Sequence, residues 1–209
     1  GWYSGSFDDL ATFLTDTHNS FPTKGFALSE YGAGASIHQH EAHPAQPETT
    51  SKFHPEEWQA LSHEAYWQAL QQRPYVWGKF VWSMFDFASA GRDEGDQKGR
   101  NDKGLCTYDR KTCKDAYYWY KANWTTEPFV YITSRRFDTR TEASTDIKVY
   151  ANTSVVTLIL NGVSLGKKSS SNHIFLWEGV ALQAGSNIVE IVGTQGNETC
   201  NDVVTWNVQ

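Results

Sequence analysis

The sequence predicts a chain in two parts, an α/β half up to about residue 124 followed by an all-β half. Helix and strand patterns alternate through the first half, which holds most of the Trp residues. From about residue 128 the chain is rich in Val, Ile, Thr, Ser and Asn, in short alternating runs separated by Gly and Asn turns. The composition changes at Thr125–Pro128, which we take as the boundary between the two parts.

The first half reads in the order helix, strand, helix, strand, helix, the rhythm of a parallel α/β sheet. The helices are predicted from apolar residues at helical spacing. Prolines also mark the start and the end of the middle helix. Short apolar runs set the strands. The predicted elements are a helix over Phe7–His18, a strand over Phe26–Leu28, a helix from Pro55 to before Pro74, a strand over Tyr75–Phe87 and a helix over Asp115–Trp124.

The second half predicts a β-sandwich of about 80 residues, the size of an immunoglobulin-like domain. Asn161-Gly162 is a strong hairpin signal because both residues tolerate the backbone of a tight turn. The predicted strands are Phe129–Ile132, Ile147–Tyr150, Val155–Leu160, Ile174–Trp177, Asn187–Val192 and Val203–Trp206.

Composition excludes several classes of function. The net charge is −6 with no cluster of Lys or Arg, so neither nucleic acid nor a membrane surface is an expected partner. No apolar run approaches the roughly 20 residues that span a bilayer, and no signal peptide is visible. Cys106 and Cys113 could pair across a loop, with unpaired thiols as the alternative. His38, His40 and His43 suggest a metal only weakly, so no metal or cofactor is expected.

Glu30 is the candidate catalytic residue. It follows the apolar run Gly25–Leu28 and precedes Gly32-Ala33-Gly34, small residues that leave room around a side chain. Barrel enzymes display catalytic groups in this way, at the carboxyl end of a strand. The alternative is an ordinary Glu at a junction between a strand and a loop.

An ordered set of motifs resembles the C-terminal end of the catalytic barrel of glycoside hydrolase family 2, and most resembles its bacterial β-galactosidases. The resemblance covers nearly the whole chain and also includes a motif of the sandwich domain that follows the barrel. The motifs are Trp2-Tyr3, Leu28–Gly34, Glu57–Ala60, His63-Glu64, Trp77–Phe87, Asn101–Leu105, Tyr108–Arg110, Lys114–Tyr118, Lys121–Trp124 and Leu158–Gly166.

The resemblance implies that residues 1–125 are strands seven and eight of a TIM (β/α)8 barrel and that 128–209 are an immunoglobulin-like domain. It implies a fragment of a longer polypeptide that releases terminal β-D-galactose with retention, with Glu30 as the nucleophile. The acid/base would lie upstream of Gly1, so we expect this chain alone to be inactive. A β-galactoside and the rest of the parent polypeptide are the implied partners, and a periplasmic or secreted location is expected.

The resemblance also assigns substrate contacts to Trp82, Tyr31, Asn101 and Lys103. Asn101 and Lys103 form the Asn-x-Lys pattern that holds the substrate carboxylate in β-glucuronidases of the same family, and a Lys suits that role as a point charge. Ala33 stands where β-galactosidases have a metal-contacting His, so β-glucuronidase is the alternative activity. An alternative of another class is a non-catalytic carbohydrate-binding or packing module.

Overall fold

The computed structural model describes residues 6–209, which divide into two compact units. The first unit ends at Ala116 and the second runs from Tyr117 to Gln209. This division falls inside the last predicted helix, whereas the composition changes at 125–128; the domain boundary given by composition stays a prediction. Trp2-Tyr3, one of the motifs above, lies outside the described residues.

The first unit contains two helices and four strands. Asp9 accepts a hydrogen bond from the backbone N–H of Ser6 at 2.6 Å, and its negative charge suits the start of the first helix. The predicted first and middle helices are confirmed. The elements are α1 (Phe7–Ser20), β1 (Phe26–Tyr31), α2 (Glu56–Gln71), β2 (Val76–Val81), β3 (Phe87–Ala88) and β4 (Arg100–Asn101), and α3 (Asp115–Trp124) begins at the end of this unit.

Strand β1 pairs with β2 in parallel, and α2 lies between them in sequence, so the predicted strand–helix–strand order is confirmed. These two strands form a sheet of their own, and residues 6–116 contain no closed barrel. The predicted strand Tyr75–Phe87 was too long, because β2 ends at Val81. Beyond it, Ser83–Asp86 pairs irregularly with the chain around Leu105, through backbone hydrogen bonds at Ser83, Met84 and Asp86.

The second unit is a sandwich of two sheets around one core. One sheet has the order β10-β7-β5 and the other has the order β6-β12-β11-β8-β9. Core side chains come from both sheets, for example Ile147 and Phe175 from the first and Leu158, Ile191 and Trp206 from the second. The strands are β5 (Val130–Ile132), β6 (Thr139–Arg140), β7 (Ser144–Ala151), β8 (Val155–Leu160), β9 (Val163–Lys168), β10 (Ile174–Ala181), β11 (Gly185–Gln195) and β12 (Glu198–Val208).

The hairpin predicted at Asn161-Gly162 is confirmed. Both residues have positive φ, 50° and 79°, and they join β8 to β9. Two positive φ angles in sequence are the signature of the tight turn that matches the twist of paired strands. The predicted sandwich strands all fall within or overlap the observed ones.

Aromatic stacking explains why α3 groups with the sandwich. The ring of Tyr118 stacks on that of Tyr131 with centroids 3.6 Å apart, and Trp119 lies 5.4 Å from Tyr150. Trp119, Tyr131 and Tyr150 are buried. These contacts place the C-terminal part of α3 against the three-stranded sheet. The second unit therefore begins before the position at which the composition changes. Among residues 6–209, no helix has the length and apolar character needed to cross a membrane.

Candidate active site

Glu30 lies near the carboxyl end of β1 with its side chain exposed. Its neighbour Tyr31 is 2% exposed, and the Tyr31 ring lies 6.0 Å from that of His63 and 6.2 Å from that of Tyr66. Successive side chains of a strand point to opposite faces. The strand therefore turns Tyr31 toward the interior and Glu30 away from it. Contact between Tyr31 and a substrate stays a prediction. The Tyr31 ring packs in the interior, on the side of β1 opposite to Glu30.

Three backbone segments meet beside Glu30. The N–H of Trp82 donates to the carbonyl of Tyr31 at 2.8 Å, and the N–H of Ser83 donates to the carbonyl of Lys103 at 3.1 Å. Trp82 follows the end of β2 and is 41% exposed. The carboxyl ends of β1 and β2 and the segment after β4 are thus joined edge to edge. This arrangement brings together the segments that carry Glu30, Trp82 and Lys103.

Gly32 permits the close approach of the two strand ends. A Cβ atom on Gly32 would lie 2.1 Å from the carbonyl oxygen of Trp82, far inside any real contact. Only glycine removes that atom. From the sequence, we expect Gly32 only to leave room around the side chain of Glu30. The structure shows that Gly32 is needed for the close contact between the ends of β1 and β2.

Asn101 and Lys103 are held by contacts within the first unit. Asn101 is buried, and its side-chain oxygen accepts a hydrogen bond from the backbone N–H of Lys103 at 3.1 Å. The ammonium of Lys103 lies 3.2 Å from a carboxylate oxygen of Glu94, which also accepts a hydrogen bond from Arg92 at 2.5 Å. Asn101 shapes the turn that presents Lys103, and Glu94 neutralises part of the charge there.

Three other carboxylates of the first unit are paired with cations. Glu94 is buried between Lys103 and Arg92, Asp86 is buried against Lys114, and Asp93 pairs with Lys52 on the surface. A general acid must carry a proton at working pH, and a carboxylate bonded to cations favours the charged form. The pairings of Glu94 and Asp93 do not favour the role of acid/base partner to Glu30, and Asp86 is held in the interior by the buried ammonium of Lys114.

His40, one of the three predicted loop histidines, has an acidic partner in Glu57. Its Nδ1 lies 3.0 Å from Glu57. Burial lowers its pKa, but the hydrogen bond and charge of Glu57 outweigh burial, so the pKa of His40 is raised. Within residues 6–209, no three His, Cys, Asp or Glu side chains gather as metal ligands would.

Known proteins resemble this chain over nearly all of its length. A β-glucuronidase of Bacteroides fragilis is 42% identical over 207 residues, which are 98% of this chain and 30% of the relative. The crystal structure of an FMN-binding β-glucuronidase from Faecalibacterium prausnitzii L2-6 matches all of this chain and 31% of its own with a TM-score of 0.90 and 39% identity. A Bacteroides fragilis structure, provisionally described as a β-galactosidase, matches all of this chain and 32% of its own with a TM-score of 0.93 and 34% identity.

The predicted resemblance to glycoside hydrolase family 2 is confirmed. The chain spans about a third of the length of these relatives. A family model described as a domain of unknown function (DUF4982) matches residues 142–200, within the sandwich. Since the chain aligns with these glycosidases from end to end, its fold is that of their C-terminal region.

The first unit also contains a buried polar network that sequence analysis missed. The ammonium of Lys114 is fully buried and donates to the carbonyl of Ala35 at 2.7 Å, to Asp86 at 2.8 Å and to the carbonyl of Asp102 at 2.9 Å. Asp86 also accepts the N–H of Gly104 at 2.9 Å. One lysine thus fastens the segments that follow β1, β2 and β4.

A second buried pair extends the network. Nδ1 of His54 lies 2.6 Å from the carboxylate of Asp102, and both side chains are buried. Burial raises the pKa of Asp102, but the hydrogen bond and charge of His54 outweigh it, so that pKa is lowered. For Asp86 burial outweighs Lys114, and its pKa is raised. No periodicity or spacing marks Lys114, because its partners are mostly backbone carbonyls distant in sequence.

A pocket of about 310 Å³ in the first unit is lined in part by Asp86 and Asp102 of this network, and neither Glu30 nor Trp82 lines it. Its walls include Ser36, Asp96, Arg100, Tyr108 and Asp109. Trp77, on β2, is 71% exposed. Within residues 6–116, β2 has a single strand partner, β1, so its other edge is unpaired there.

Proposed function

We propose that the intact protein is a retaining β-glycosidase and that Glu30 is its nucleophile. The observation that carries the proposal is the meeting of three segments at one edge, which brings the exposed Glu30 beside the end of β2 and its Trp82. Active sites of parallel barrels collect side chains from the carboxyl ends of several strands. The relatives named as glycosidases match this same region of the chain.

The proposed reaction proceeds by double displacement. Glu30 attacks the anomeric carbon and forms an ester as the bond to the leaving oxygen breaks, and a second carboxyl group donates a proton to that oxygen. The same group then removes a proton from water, which attacks the anomeric carbon and frees Glu30. Retaining enzymes hold the two carboxyl groups about 5–5.5 Å apart. We place the second group outside this chain, and Trp82 would pack against the sugar.

The proposal includes the architecture implied by the resemblance. Residues 1–125 would supply strands seven and eight of a (β/α)8 barrel, with β1 and β2 as those strands, and 128–209 an immunoglobulin-like domain. The parallel pairing of β1 and β2 around α2 supports it. The rest of the parent polypeptide would then cover the exposed Trp77 and Phe80 on β2.

Two sugars are candidates for the substrate. The sequence motifs most resemble those of bacterial β-galactosidases and therefore favour a terminal β-D-galactoside. The names of the relatives favour a β-glucuronide at least as strongly. Lys103 is the residue that would distinguish them, because a glucuronide carries a carboxylate and a galactoside does not. In the proposed glucuronide complex, the substrate carboxylate would compete with Glu94 for the Lys103 ammonium.

Covalent trapping tests the nucleophile. The intact protein would be incubated with 2-deoxy-2-fluoro-β-galactosyl and β-glucuronyl fluorides, digested with trypsin and mapped by mass spectrometry. We expect the glycosyl group on the peptide Gly25–Lys52, at Glu30. Glu30→Gln should abolish both turnover and labelling, and Glu41→Gln in the same peptide should change neither. A label on another residue, or full turnover by Glu30→Gln, overturns the assignment.

Lys103→Met tests the sugar. If the substrate is a glucuronide, kcat/KM for the glucuronide should fall by roughly 10²-fold while the galactoside rate stays unchanged, because the lost contact is a charge-assisted hydrogen bond. Lys98→Met, on the exposed part of the same loop, is the matched control. An equal effect on both sugars counts against a carboxylate contact. Sugar binding without turnover by the intact protein would support the non-catalytic module instead.

A further inference from the structure

Cys106 and Cys113 face each other across an antiparallel bridge. The flanking backbone hydrogen bonds run from Thr107 N–H to Thr112 O at 2.9 Å and from Lys114 N–H to Leu105 O at 2.8 Å. This pattern defines the two cysteines as a non-hydrogen-bonded pair, the kind in which Cα atoms approach to about 4.5 Å and side chains lie closest. That separation is within the range that a disulfide spans.

The two cysteine side chains lie close together. The two Sγ atoms lie 2.7 Å apart. Cys106 is buried and Cys113 is partly exposed. The loop between them is closed by its own contacts, since the Thr107 hydroxyl donates to Asp109 at 2.6 Å and accepts the N–H of Thr112 at 3.2 Å. The register is therefore fixed independently of the sulfur atoms.

We propose that Cys106 and Cys113 form a reversible disulfide, a redox modification site in the loop that leads to Lys114. The oxidant is a low-molecular-weight disulfide. The Cys113 thiolate attacks it, forming a mixed disulfide and releasing one thiolate. The Cys106 thiolate then attacks Cys113 Sγ and releases the second. Two electrons pass from the protein sulfurs to the oxidant, and the two thiol protons leave with the two product thiols.

Exposure sets the order of the two steps. Burial, together with the neighbouring Cys113, raises the pKa of the Cys106 thiol to about 12. A buried thiol reacts slowly with a solute, so the oxidant reaches Cys113 first. Ring closure by Cys106 is then the slower step, and its rate should rise with pH because the attacking species is the thiolate.

The disulfide would stabilise the backbone next to the buried contacts of Lys114 and Asp86. Lys114 is the residue after Cys113, and its ammonium holds Asp86 and the carbonyls of Ala35 and Asp102. The backbone of Cys106 accepts the N–H of Asp86 at 2.9 Å. A covalent link between the two cysteines thus closes the ring 106–113, which contains the backbone partner of Asp86 at Cys106 and directly precedes Lys114.

Peptide mapping tests the proposal. The intact protein would be equilibrated with mixtures of oxidised and reduced glutathione, alkylated with iodoacetamide and digested with trypsin. Trypsin cuts after Lys103, Arg110, Lys111 and Lys114, so the disulfide joins Gly104–Arg110 to Thr112–Lys114. We expect this linked pair of peptides in oxidising mixtures and its loss in reducing ones. Alkylation of both cysteines should be roughly tenfold lower in the oxidising mixtures than in the reducing ones.

Variants separate the bridge from simple packing. Cys113→Ser should remove the linked peptide and leave the alkylation of Cys106 the same in oxidising and reducing mixtures. Cys200→Ser, on β12, should leave the linked peptide unchanged. Two alkylated cysteines, or glutathione mixed disulfides without the linked peptide, across the whole range of mixtures would overturn the proposal. The readout is the bond itself and does not depend on the glycosidase assignment.

Discussion

The ammonium of Lys114 lies 2.8 Å from the carboxylate of Asp86, and the side chains are 0% and 4% exposed. An ion pair this deeply buried holds its members together because either charge alone would be isolated from water. The pair also joins β2's continuation to the segment before α3. Its removal should therefore loosen the base of the proposed active site.

We expect Lys114→Met to destabilise the first unit by about 3–5 kcal/mol, because the substitution leaves the buried carboxyl of Asp86 without its cation. Adding Asp86→Asn should restore part of the loss. The measurement is hydrogen exchange of peptides from residues 84–114 in the intact protein, which reports local opening. Lys52→Met, which breaks the exposed pair with Asp93, is the control and should change nothing measurable. Equal exchange in Lys114→Met and the parent would contradict a structural role.

Sequence reasoning found the elements and missed the network that joins them. The helix over Phe7–Ser20, the order of β1, α2 and β2, and the Asn161-Gly162 hairpin all follow from local spacing and turn chemistry. Lys114, His54 and Asp102 could not be found in this way, because their partners are set by tertiary packing.

The close contact at Gly32 predicts the effect of adding one methyl group. Gly32→Ala would place Cβ 2.1 Å from the Trp82 carbonyl, so the ends of β1 and β2 must separate. Overpacking of this kind costs about 1–3 kcal/mol. We expect lower thermal stability and, if Glu30 and Trp82 act on one sugar, a lower kcat/KM. Gly91→Ala is the matched control, because a Cβ there meets nothing within 4 Å. Unchanged melting of Gly32→Ala would show that the strand ends tolerate separation.

His63 predicts a loss of stability in acid. Burial, with the charge of Lys114, lowers the pKa of His63 from 6.5 to about 3. The unfolded chain therefore binds a proton between about pH 6.5 and 3 that the folded chain does not. The stabilisation is fully present above pH 6.5 and declines as pH falls toward 3, by on the order of 4 kcal/mol. Unfolding measured from pH 7 to 4 should show this slope.

Substitution identifies His63 as the source. His63→Gln should flatten the dependence on pH between 6.5 and 4, even though it also lowers stability at pH 7 by disturbing the packing beside Tyr31. His38→Gln, at an exposed position, should leave the slope as it is. A slope that survives in His63→Gln would assign the acid sensitivity to other groups.

The cysteine pair predicts a redox-dependent melting temperature. A disulfide from Cys106 to Cys113 closes a short ring and lowers the chain entropy of the unfolded state, which gives about 2 kcal/mol of stabilisation. The oxidised protein should therefore melt higher than the reduced one, and dithiothreitol should return it to the lower value. Cys113→Ser should melt at the same temperature in both conditions, because it cannot form the bridge, whereas Cys200→Ser should keep the difference. A difference that persists in Cys113→Ser would trace the effect to another cysteine, and the stability of the loop would then rest on its backbone and threonine contacts alone.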